Sequence, residues 1–442
     1  MLGLGGSIGT GLFLGSSVAI SFAGPGVLLS YLIGGIIAAA TALSLTEMAV
    51  KHPSAGSLGH YATQYLGEYA GFLIRWIYFL CQVLAAGLDA TAIGIYMQHW
   101  ATGTSPWVWA VGSSALLAWI NTLSVGYFGV VEYGMSLIKV AAIVAFVLLG
   151  AAKIFGLFSP ALGLHNVIGL QGGFLPHGFS GVWLASMVAT LAFFGLETIA
   201  VASGEMRDPE TSIPAALRGM AIRLLLFYIL AIAVIIAVVP WTSIGGAAQR
   251  SPFVTVFEQS GLPFAGDIMS FVVLCAALSS MNACIFTSSR MLFSLGRDRY
   301  APQGLGKLNA RGAPGNAVRV AGLCVLAIAF VSKLTDRAYL VLLGVTLFSV
   351  LAVWLMIFLC HFAFRAKNRG EHLSYRAPLY PWPQIVAMGL LVSVGGTMAV
   401  AGQDWNIAWI VGVPTFALLS LAYLAIAKRR KRRLQAIAIS KI

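Results

Sequence analysis

The chain has 442 residues, 59% of them hydrophobic and only 9% charged, with a mean hydropathy of +0.89. A soluble domain carries about a quarter charged residues, so this composition excludes a water-coated globule, and apolar runs recurring along the whole length exclude one anchor on a soluble body. The net charge of +13 lies in short loops between those runs, which points to membrane topology and anionic lipid headgroups and not to nucleic acid.

Twelve apolar runs are long enough to span, at about 1–20, 26–50, 68–98, 105–123, 129–152, 181–203, 216–240, 266–290, 317–333, 337–362, 384–401 and 406–427. With the N-terminus inside, twenty-two of the Lys and Arg residues fall on the cytoplasmic side and four, Lys153, Arg250, Lys333 and Arg337, outside. Lys139 is left within a span. That asymmetry predicts both termini in the cytoplasm. The run KRRKRR at 428–433 directly follows the last span and reads as a basic juxtamembrane tail. The external segments 153–180 and 241–265 contain Gly and Pro and could form short helical lids. Met1 leads into Gly-rich apolar sequence with no basic region ahead of it, so no signal peptide is expected. The five cysteines all lie in apolar runs, without a CxxC pair or a Cys/His cluster, so neither a disulfide framework nor a metal site is expected. No catalytic motif such as HExxH or GxSxG occurs, and an enzyme is not expected.

The first run contains GGSIGTG, from Gly5 to Gly11. Such a stretch weakens a helix and survives in lipid only where it packs on protein or lines a cavity. Taken alone it fits close helix packing through small residues as well as an unwound hinge whose free N–H groups hold a carboxylate. The sixth run, ATLAFFGLETIAVASGEMRDP, is also interrupted, by Gly195 beside the acidic Glu197. Two interrupted spans five apart start on opposite sides of the membrane. This predicts an inverted five-helix repeat with a binding site at the midplane between broken helices 1 and 6.

Lys139 is flanked by apolar sequence, either snorkelling to the interface or buried as a proton-coupling amine. Glu197 and Asp89 are the acids within spans six and three; each could carry a proton, contact a substrate or be a paired structural acid. Glu47, Glu132 and Glu205 lie near span ends, where interfacial or loop-tethering roles are expected.

These residues, in this order, resemble the amino-acid transporter family of the amino acid–polyamine–organocation superfamily. The resemblance runs through MLGLGGSIGTGLFLGSS (1–17), TEMAVKHPSAGSLGHYA (46–62), FGVVEYGMSLIKVAAI (128–143), FFGLETIAVASGEMRDPETSIPAAL (193–217), SPFVTVF (251–257), CAALSSMNACIFTSSRMLFSLGRDRYAP (275–302) and YRAPLYPW (375–382). It implies an all-α polytopic membrane protein of about twelve helices. Residues 1–152 and 181–362 would form the two inverted units, 384–427 two extra helices, and 428–442 a basic cytoplasmic tail.

The implied activity is import of an α-amino acid by proton symport with alternating access; an exchanger or facilitator of the same fold is the near alternative, and a transporter-like nutrient sensor a remote one. No cofactor is implied beyond the proton gradient, and the membrane implied is a bacterial inner membrane. Ser7, Gly9, Thr10 and Gly11 would meet the substrate's α-carboxylate and amine, and backbone around Phe193 and Phe194 its α-ammonium. Lys139 would stand where sodium-coupled relatives hold a cation, and Glu197 corresponds to the acid of helix six. LDATAIGIYMQHW (88–100), which contains Asp89, resembles members that carry proline or aromatic amino acids, so a neutral L-amino acid is the expected substrate. Family members usually have a cytoplasmic arm ahead of helix one, whereas Met1 here falls inside that helix; the arm is absent or the start misassigned.

Overall fold

A computed structural model describes residues 8–53, 57–123, 125–157, 162–170, 172–201, 208–244, 250–259, 263–309 and 312–439. Ser7, Gly204 and Glu205 lie outside them. Among the described residues there are helices and turns but no strand. That follows from the solvent: hydrocarbon offers backbone N–H and C=O groups no partner, so each span must satisfy them internally.

Every apolar run has a helical counterpart. The first becomes α1 (Thr10–Phe13) and α2 (Gly15–Ala23), and the turn Gly24–Pro25–Gly26 leads into α3 (Val27–Lys51). Then come α4 (Ser57–Leu66), α5 (Glu68–Met97), α6 (Pro106–Leu123) and α7 (Val125–Ile154). The sixth run is split into α8 (Gly178–Ala192) and α9 (Thr198–Val201), followed by α10 (Pro209–Val238). The remainder are α11 (Pro252–Glu258), α12 (Ala265–Arg297), α13 (Gly315–Ala329), α14 (Val331–Leu334), α15 (Ala338–Lys367), α16 (Trp382–Val400) and α17 (Gln403–Ile439). Hydroxyl groups within these helices bond back to the preceding turn, as Thr41 does to Ile37 at 2.9 Å and Thr190 to Ser186 at 2.7 Å. A polar side chain is thereby tolerated without a tertiary partner.

Burial sorts the helices into centre and perimeter. In α5, 83% of the apolar window is buried, and the helix packs against α4, α6, α12 and α15; in α17 only 6% is buried. Leu418, Leu421 and Leu424 of α17 are each more than 60% exposed, a lipid-facing stripe.

Several sequence expectations shift. Glu47 and Glu132, expected near span ends, are covered by protein. Glu47 does tether a loop: it accepts from His361 (3.0 Å), from Arg365 (2.9 Å) and from the Ala377 amide (2.8 Å), tying α3 to α15 and to the segment ahead of α16. Glu132 accepts from Ser279 of α12 at 2.6 Å. Arg75 of α5 is buried and pairs with Asp298 at 2.6 Å. The basic tail continues α17 as helix to Ile439. Within 153–180 and 241–265 stand the short helices His165–Gly169 and α11, and Ser251 at the start of α11 donates to the Phe13 carbonyl at 2.6 Å.

Candidate functional site

Within the Gly-rich stretch of the first span Ile8 and Gly9 are non-helical, and this is the first break; residues 1–7 ahead of it lie outside the described ones. Gly9 is extended (φ −126°, ψ −158°), α1 lasts four residues, and helix resumes only at Gly15. The first amides of a helix have no intrahelical acceptor. Here Asp89, brought in by α5, supplies one: its Oδ1 accepts from the Thr10 hydroxyl at 2.6 Å and lies 3.4 Å from the Thr10 amide. Ser280 of α12 also bonds to Asp89. Tyr339 of α15 donates to the Thr10 carbonyl at 3.1 Å. A negative group at a helix N-terminus is favoured by the backbone dipoles, so Asp89 orients the break.

The glycines are there for room. A Cβ on Gly9 would lie 2.6 Å from Ser280 Oγ, and one on Gly11 would lie 3.3 Å from Ala192 Cα in the other broken helix. The two interrupted spans therefore touch at backbone distance, with Gly11 at the seam.

The second break runs through Phe193–Glu197, between α8 and α9, around Gly195 at φ +100°, a conformation open to glycine. The turn's amide hydrogen bonds go to the carbonyls of Thr190, Leu191, Gly195 and Glu197, passing over those of Phe193 and Phe194. Tyr228 of α10 donates to the Ala192 carbonyl at 2.9 Å. The Phe193 ring packs against Tyr31 and Tyr228, with centroids 6.5 and 4.9 Å away, so what it can offer the seam is backbone. Glu197 is fully buried; its Oε1 accepts from the Gly195 amide at 3.3 Å, while Tyr78 of α5 and Trp354 of α15 approach the carboxyl.

Lys139, on α7, is fully buried and does not snorkel. Its Nζ donates to the Ile8 carbonyl at 3.1 Å, next to the Gly9 break, with the carboxyls of Glu132 and Asp89 its nearest acids. The fold thus gathers Gly9, Thr10, Gly11, Asp89 and Lys139 around the first break and joins them, through Gly11, to Leu191 and Ala192 across the seam. Glu197 stands on the far side of the second break, among Tyr78 and Trp354. Ser7 lies outside the described residues. Sequence reading passed over Ser280, Tyr339 and Tyr228. The first had a signal, the small polar run Ser279–Ser280–Met281–Asn282 inside an apolar helix; the two tyrosines had none. Among the described residues no His, Cys, Asp and Glu cluster could hold a metal.

A seam of this kind offers opposite ends of broken helices to a zwitterion. The family model described as amino acid permease matches residues 1–436. The amino acid permease YtnA of Bacillus subtilis is 36% identical over 96% of this chain and 92% of its own. The aromatic amino acid transport protein AroP of Escherichia coli O6:H1 is 38% identical over 89% of this chain and 87% of its own, and that of Salmonella typhimurium SL1344 35% identical over 98% and 94%. These are transporters and not enzymes. On its fold, its paired helix breaks and this full-length similarity, the chain belongs to the amino acid permease family, multi-pass membrane proteins that transport amino acids.

Proposed function

We propose that this chain imports a neutral L-amino acid together with a proton, through a site at the seam between its two broken helices. The observation that carries the reading is the Lys139 ammonium on the Ile8 carbonyl: a fixed cation of the protein's own sits on backbone freed by the first break. A transporter with a cation built in at that place has less need of sodium and can use a proton. The substrate's α-carboxylate is assigned to the first turn of α1, where the Gly11 amide has no intrahelical acceptor by its position, with Ser7, Gly9 and Thr10 named on the motif. Its α-ammonium is assigned to the carbonyls of Phe193 and Phe194. Lys139 and Glu197 are the groups proposed to couple proton movement, and Asp89 holds the break in shape beside the pocket.

The AroP relatives are named for aromatic amino acids, which supports an aromatic side chain within the neutral class. The repeat relating residues 1–152 to 181–362, the bacterial inner membrane and the cytoplasmic placement of both termini belong to the same reading; the loop-charge asymmetry supports the orientation.

The test is uptake of labelled phenylalanine, tyrosine, tryptophan and proline into proteoliposomes with and without an imposed inward proton gradient. Accumulation above equilibrium only with the gradient supports symport. Uptake that stops at equilibrium with or without it identifies a facilitator, and uptake that requires internal amino acid an exchanger. Thermal melts against the twenty amino acids would identify the ligand independently.

A further inference from the structure

At the cytoplasmic end of α15 the chain builds a cavity of about 290 Å³ that shares no lining residue with the seam between the two breaks. Its walls carry three guanidiniums, Arg365, Arg369 and Arg376, with Phe362, Leu373 and Tyr380 as the apolar side. The local sequence explains the arrangement. Phe362 and Arg365 stand one turn apart on the last turns of α15, and Arg369 follows in the turn just past its end. Gly370, at φ +89°, turns the chain back, and the Ala377 amide is pinned to buried Glu47 at 2.8 Å, which brings Arg376 round to face the helix.

The charges do not balance. Arg365 is committed to Glu47 and lies over the Tyr380 ring, 4.6 Å from its centroid. The one acid in the loop, Glu371, is taken by Lys51. Among the described residues no ion pair engages Arg369 or Arg376; Arg376 donates to the Glu371 carbonyl at 3.1 Å, a neutral acceptor. Like charges lining one cavity repel, and planar guanidiniums are suited to binding the oxygens of a phosphate. The volume is near the lower end of ligand clefts, about 300 Å³.

The setting is the membrane surface. Leu379 and Trp382, just beyond Tyr380, are 79% and 67% exposed, and Ile385 and Val386 continue an exposed apolar face up α16. An exposed Trp at the start of a span marks headgroup depth, so the cavity opens where lipid phosphates lie.

We propose that this cavity binds a phosphate-ester anion, held by Arg369 and Arg376 with Arg365 behind them. The same chemistry is offered by an anionic lipid headgroup or by a soluble phosphate. Because Glu47 ties Arg365 and Ala377 together beneath it, occupancy would brace the α3–α15 contact from the cytoplasmic side.

The experiment compares the wild-type chain with the Arg369→Gln/Arg376→Gln variant. Both side chains are exposed, so loss of fold is not expected. Arg297→Gln/Arg319→Gln, two exposed cytoplasmic arginines elsewhere, matches the charge change. Each protein is delipidated, then offered phosphatidylglycerol, phosphatidylcholine, inorganic phosphate or glycerol 3-phosphate, and read by native mass spectrometry and thermal melting. The expectation is retention of phosphatidylglycerol over phosphatidylcholine by wild type and the charge control, falling roughly tenfold in the cavity variant. Stabilisation of wild type by the soluble phosphates alone, lost in the cavity variant, would support the site and identify a soluble ligand. Equal retention and equal melting shifts in the cavity variant and the charge control would overturn the proposal, as would wild type that distinguishes none of the four.

Discussion

The Lys139 ammonium donates to the Ile8 carbonyl at 3.1 Å, so the fifth span reaches across and closes on the backbone freed by the first helix break. One charged donor thereby ties together two elements 131 residues apart in sequence. Removing that amine, as in Lys139→Ala, leaves the carbonyl without its charged donor and the neighbouring Asp89 and Glu132 without their cation. The expected result is loss of gradient-driven accumulation by about tenfold or more, because an uncompensated buried acid disfavours the state that must form when the proton leaves. Proteoliposome uptake under an imposed pH gradient checks it; wild-type accumulation by Lys139→Ala would remove this residue from the coupling mechanism.

Thr10 and Asp89 make the second test. The 2.6 Å bond from the Thr10 hydroxyl joins the broken first helix to buried α5. Thr10→Val keeps the shape and removes the donor. A buried charged acceptor that loses a partner costs about 1–3 kcal/mol, so the melting temperature in detergent should fall, while Thr10→Ser should hold near wild type. If Thr10→Val melts with wild type, Asp89 is held by other donors and does not depend on this bond.

The spans and both breaks were legible because they rest on local composition: long apolar runs, a cluster of glycines, and Gly195 inside a helical run. What was not legible is long-range pairing. Nothing in the sequence around Thr10 announces Asp89, 79 residues on, nor does anything around Glu47 announce His361, 314 residues on. Glu47 falls near the end of its span, as a loop-tethering acid would, but only the folded chain shows which loop, the one before α16, covers that end. The helix α4, ten residues long between the expected spans 26–50 and 68–98, is too short to cross a membrane and gives no apolar run to find it by. The helical tail was read only as charge, although Lys and Arg are good helix formers and simply continue α17.

Gly9 tests whether the first break is kept open by room or by chemistry. A Cβ there would sit 2.6 Å from Ser280 Oγ, closer than real contacts allow, so Gly9→Ala should displace Ser280 and Asp89 and abolish substrate-induced stabilisation. Adding Ser280→Gly clears the obstructing side chain, and the double variant should regain a measurable part of the melting shift. Contacting residues are expected to couple by about 0.5–3 kcal/mol. Additive losses would mean that Gly9 is required for its backbone geometry and not for its clearance from Ser280.

Gly11 lies at the seam itself, where an added Cβ would meet Ala192 Cα at 3.3 Å. Alanine needs a shift of a few tenths of an ångström; valine adds two methyl groups against backbone that cannot rotate aside. Gly11→Val should therefore wedge the two broken helices apart. Its predicted signature is a folded protein in detergent, with circular dichroism close to wild type, that no longer gains melting temperature from the best amino acid ligand. Gly11→Ala should bind about tenfold or more weakly, the size of effect expected when packing is strained by 1–3 kcal/mol. Normal ligand affinity in Gly11→Val would separate the seam from the substrate site and move the binding position elsewhere in the bundle.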